Sequence, residues 1–185
     1  MADAKPPRAT VRVWDAAVRV LHWALAAAVA AAWFTAESRL AAHEAAGWTA
    51  LAAVTLRLAW GFAGGHYARF RQFVRGPLHT ARYARAVLAR REPRHLGHNP
   101  LGGWMALALL ACTAAVALTG WACTTDRWWG DPDATALHEA LAWTLVALAA
   151  VHVAGALYAS LRHRENLVGA MVGGAKRAPA PDDVA

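Results

Sequence analysis

Long stretches of this 185-residue chain carry no charge. None lies between Arg19 and Glu37, Arg57 alone interrupts the interval from Glu44 to Arg69, and residues 99–125 and 140–161 contain none. Charged residues amount to 17% of the chain against 58% hydrophobic ones, a balance that excludes an ordinary soluble domain. Each uncharged run has about the length needed to cross a bilayer core, so the sequence predicts an all-α membrane protein, a bundle of four transmembrane helices over about 17–37, 43–64, 100–124 and 136–161. Cysteine is scarce as well. Cys112 and Cys123 stand 11 positions apart on one predicted helix. That is about 16 Å of rise, too far for a bridge within the chain.

The basic residues are segregated. Lys5, Arg8, Arg12 and Arg19 precede the first span, eight arginines lie between 69 and 94, and Arg162, Arg164, Lys176 and Arg177 follow the last span. The other two connections hold only Arg39 and Arg127 among several carboxylates. The positive-inside rule therefore places both termini and the 66–98 loop in the cytoplasm. The net charge of +7 is then directed at anionic membrane lipid and not at nucleic acid. A basic start followed by an alanine-rich run resembles a signal peptide, but cleavage would strand the basic tail on the wrong side, so the segment reads as uncleaved. Residues 77–92, arginine-rich with Leu78, Tyr83, Val87 and Leu88 interleaved, read as an interfacial helix. The single membrane-embedded domain is expected over 1–177, with 178–185 a disordered tail.

Histidine is where the apolar pattern is broken. His138 and His152 are 14 residues apart on the fourth predicted helix, which is about 21 Å of rise and roughly 40° short of four full turns, so both rings leave nearly one face. Ionisable groups at membrane depth face the protein interior. With alternating helix directions His22 falls at the level of His152, and His43 at the level of His138. Each level thus has two imidazoles from different helices, the arrangement that grips a planar cofactor from both sides, and histidine is a standard axial ligand of haem iron. The spacing and depth predict two haems, an inner one on His22 and His152 and an outer one on His43 and His138. His66, His79, His95, His98 and His163 lie in wet or interfacial segments and read as solvated, with His66 the one competing inner ligand.

Haem propionates require cations or donors. Arg57 stands 14 residues after His43, on the same face and at the inner level, and Arg19 precedes His22 by one turn; Arg39 and Arg127 are the outer candidates. Gly47 and Gly155 would let a macrocycle approach the helix, and close helix packing explains them equally well. Trp14, Trp23, Trp104, Trp128 and Trp129 read as interface anchors.

Several segments together resemble the bacterial cytochrome b561 group, which includes the b-type cytochrome subunits of nickel-dependent hydrogenases. They are V-W-D-A-A-V-R-V-L-H-W (13–23), H-E-A-A-G-W (43–48), R-L-A-W-G-F-A-G-G-H-Y-A-R-F (57–70), G-H-N-P-L-G-G (97–103), L-H-E-A-L-A-W (137–143), H-V-A-G (152–155) and E-N-L-V-G-A-M-V-G-G-A-K-R (165–177). The resemblance implies a four-helix cytochrome of the bacterial inner membrane with two b haems, ligated at positions matching His22, His43, His138 and His152. It implies electron transfer, with quinone or quinol oxidoreductase activity in question. The expected partners are quinone or quinol and a periplasmic c-type cytochrome or other redox protein, with a second copy of the chain a further candidate. Two alternatives stand beside this reading: the membrane anchor of a hydrogenase or dehydrogenase complex, and a haem-free transport or anchoring subunit.

Overall fold

A computed structural model describes residues 9–184. A short strand β1 (Thr10–Arg12) leads into α1 (Ala16–Thr35) and α2 (Leu40–Ala63). The connection that follows holds the single turn α3 (Phe70–Phe73) and α4 (Pro77–Leu88), and the chain continues through α5 (Pro100–Cys123), α6 (Pro132–Arg162), α7 (Leu167–Gly173) and β2 (Ala175–Arg177). Local chemistry fixes the helix starts. Asp15 accepts the Val18 N–H, Asn99 accepts the Gly102 N–H, and Asp131 accepts from Asp133 and Ala134. Pro100 and Pro132 supply the preset backbone angle of a first helical residue. The Asp131 cap is why α6 begins four residues before the apolar pattern does.

The four long helices form a bundle in which α1 packs on α2, α2 on α5 and α5 on α6. Phe34, Phe62 and Leu161 are each more than three-quarters exposed, and an apolar surface of this kind matches lipid and not water. Three helices, α1, α5 and α6, are long and apolar enough to cross a membrane. The expectation of four such segments is met only in part: α2 has the same 24-residue length as α5, but His43, Glu44 and Arg57 lower its hydropathy.

One end of the bundle is closed by a small polar and apolar cap. Strands β1 and β2 pair antiparallel with Val11 opposite Lys176, and Val13, Trp14, Val18, Ala68, Leu96 and Ala170 bury one another. Trp14, expected as an interface anchor, belongs to this core. Gly174 ends α7 at φ +85°, and a Cβ there would lie 2.7 Å from the Trp14 carbonyl oxygen, so both the turn and the approach demand glycine. Residues 178–184, whose composition suggests a disordered tail, return across this cap. Val184 exchanges backbone hydrogen bonds with the 94–96 segment, and Asp183 pairs with Arg94. Arg94 also bonds Glu165, at 2.5 Å, and Glu165 is 3.4 Å from Lys176, all four side chains being at most 7% exposed. A buried cation draws an ordered carboxylate to itself, which the low apolar content of the tail does not reveal.

Candidate functional site: two histidine pairs

Helix α6 presents His138 and His152 to α2 and α1. The His22 and His152 ring centroids are 6.3 Å apart, and those of His43 and His138 are 6.1 Å apart. Two bonds of about 2 Å from imidazole nitrogen to a transition metal, plus about 1 Å from each nitrogen to its ring centre, make about 6 Å. Each pair is therefore spaced to hold one metal between two rings. Among the described residues no group of three or more His, Cys, Asp or Glu side chains could hold a metal ion. A metal seated here has only two protein ligands and must bring the rest with it, as iron does in a porphyrin but a structural zinc does not.

The outer pair shows how such ligands are aimed. His43 Nδ1 lies 2.9 Å from the Ala32 carbonyl oxygen, and His138 Nδ1 lies 3.1 Å from that of Val116 and 3.2 Å from Thr119 Oγ1. A carbonyl only accepts, so each Nδ1 carries the proton and each Nε2 keeps its lone pair for a metal. Gly120 makes room for this. A Cβ at 120 would lie 2.9 Å from His138 Cε1, so Gly120→Ala is expected to turn the ring out of line with His43 and to lower the haem content of the purified variant. At Gly47 and Gly155 an added Cβ meets nothing within 4 Å. Close helix packing does not account for these two glycines, and open space beside the pairs fits a flat macrocycle.

The remaining candidates separate. The Arg57 guanidinium sits 5.3 Å over the Phe70 ring, its Nη2 donates to the Ala68 carbonyl at 3.2 Å, and its Nη1 is shielded without a partner. Arg19 is turned toward α7, donating to the Val172 carbonyl, so its main contact is with the cap. Arg39 is exposed at the start of α2, and Arg127 is exposed with its guanidinium 5.0 Å over the Trp128 ring. His66 is exposed beside Tyr67. His98, expected to be solvated, is instead held between Trp14 at 4.8 Å and Phe73 at 4.5 Å.

A sequence profile described as prokaryotic cytochrome b561 matches residues 13–174. The chain belongs to the prokaryotic cytochrome b561 family. Two relatives carry the name probable Ni/Fe-hydrogenase B-type cytochrome subunit. That of Bradyrhizobium diazoefficiens is 25% identical over 226 aligned positions, covering 95% of this chain and 91% of the relative. That of Azotobacter vinelandii is 28% identical over 160 positions, covering 72% and 66%. No solved structure matches the chain. This cytochrome is thus an integral membrane protein built mainly of helices, and its family carries haem b and transports electrons. The paired imidazoles, the fixed tautomers of His43 and His138 and the space at Gly47 and Gly155 are the features of this chain that fit such a group.

Proposed function

We propose that this cytochrome relays electrons across the bacterial inner membrane between a quinone or quinol pool and a periplasmic redox partner such as a c-type cytochrome, using two b haems. The observation that carries the proposal is the pair of 6 Å histidine gates at the two ends of α6. Bound haem supplies the one-electron iron couple, and the chain supplies axial ligation, burial and nearby charge. His22 and His152 hold the inner iron, and His43 and His138 the outer one. Arg57, with its unpartnered Nη1, holds an inner propionate. Helix α2 is the fourth span, kept in the membrane because His43 and Arg57 are turned inward, and both termini are cytoplasmic by the distribution of arginine. The names of the two relatives favour a second reading, in which the chain anchors a hydrogenase and passes its electrons to quinone.

A reduced-minus-oxidised visible spectrum of the purified protein, recorded with dithionite and then with a soluble quinol, tests this. b-type bands with both reductants are expected. No b-type bands at all would sink both redox readings, and bands with dithionite alone would remove the quinol step.

A further inference from the structure

We infer that His98 is a non-ligating histidine of the inner haem, donating a hydrogen bond to a propionate that Arg57 also holds; this rests on the two-haem reading. The ring immediately precedes the Asn99 cap of α5 and lies between Trp14, in an edge-to-face contact, and Phe73, in a tilted one. Phe73 in turn meets Phe70, whose ring lies under the Arg57 guanidinium. A continuous aromatic stack thus ties the two side chains together, and the charges acting on His98 come from Arg57, Lys176, His152 and His22. Trp14 lies just before α1, the helix that carries His22, so this contact sets His98 at the His22 end of the bundle.

His98 Nδ1 and Arg57 Nη1 are both shielded from solvent and both without a partner. Native proteins rarely leave such groups unmatched, and two on one aromatic stack indicate a shared anionic partner. A neutral imidazole has a single N–H. The shielded, unpartnered Nδ1 is the nitrogen that calls for an acceptor, so the proton belongs there, ready for an incoming carboxylate. Burial, followed by the positive charge of Arg57 and Lys176, pushes the imidazole down to about 3. His98 is thus a neutral donor at physiological pH.

A donor on a propionate offsets the negative charge that favours ferric iron, so its removal lowers the inner haem's potential. The test is a spectroelectrochemical titration of purified wild type, His98→Phe and His98→Gln, with the inner wave assigned by its loss in His152→Ala. Phenylalanine keeps the stack and removes the N–H; glutamine restores a donor. In His98→Phe the inner haem is expected to become about tenfold harder to reduce, a downward shift of about 59 mV for a one-electron couple. The outer wave should stay in place, and His98→Gln should return toward wild type. An unmoved inner wave in His98→Phe, or an equal shift in His98→Gln, would overturn the assignment. Should the phenylalanine variant fail to assemble, His98→Leu carries the same expectation and the same contradiction. A protein without b-type bands defeats the two-haem reading; normal bands with an unmoved wave defeat only the role of His98.

Discussion

His152→Ala is expected to halve the haem content, from two b haems per chain to one, and the haem lost is the inner one. The variant removes one of the two proposed ligands at that level, the one whose ring centroid lies 6.3 Å from that of His22. His66, the one alternative suggested by sequence depth, is exposed and stacked on Tyr67. The outer pair stands about 21 Å away along α6, and its rings are oriented by their own partners at Ala32 and Val116. Effects at sites this far apart, with no shared contacts, add independently. Haem content and the redox titration together read the outcome: a single surviving wave with the properties of the outer haem. Equal loss of both haems from a folded variant would contradict the assignment of ligands to levels.

Arg94→Ala is expected to be the most destabilising single substitution in the cap. Removal of the guanidinium leaves Glu165 and Asp183 as buried carboxylates, of which only Glu165 keeps a second cation, Lys176. Breaking a buried pair from one side costs about 3–5 kcal/mol. The consequence is release of the 178–184 return and easier opening of the β1–β2 pair, visible as rapid proteolysis of the C-terminal segment with the haem spectrum retained. Acid acts on the same contacts. Burial alone would raise both carboxyls, but the Arg94 hydrogen bonds, with the Lys176 charge at Glu165 and the Ala180 N–H at Asp183, outweigh it and hold both below the usual range. Folded values below unfolded ones mean that this stabilisation is complete above about pH 4–5 and is lost as pH falls through the lower folded values. Amide exchange of residues 175–184 should accelerate in that acid window in wild type and be fast at every pH in Arg94→Ala.

What the sequence makes legible here is whatever a helix repeats. Fourteen residues between His138 and His152 fix their common face, and charge-free runs announce α1, α5 and α6 because lipid demands them. The structure joins His22 with His152 and His43 with His138, as a count of depth in antiparallel helices requires. Contacts between segments distant in sequence are another matter. Trp14 carries the composition of an interface anchor, yet the return of the chain at Gly174 buries it. Arg19 is one turn from His22, but it donates to the Val172 carbonyl of α7. His98 sits in a loop of arginines and glycines, and only the approach of Trp14 from one side and Phe73 from the other makes it an interior residue. Asp183 was invisible as a partner because its cation lies 89 positions earlier. The unpartnered Arg57 Nη1 and His98 Nδ1 illustrate the same limit, since an unmet donor or acceptor is defined by everything around it.

In the proposed arrangement a single helix, α6, offers one ligand to each of two haems. The molar ratio of haem b to polypeptide in the purified protein, from the pyridine haemochrome spectrum against quantitative amino-acid analysis, tests it most directly. Two per chain are expected; one per chain in a fully loaded preparation would contradict the two-haem arrangement.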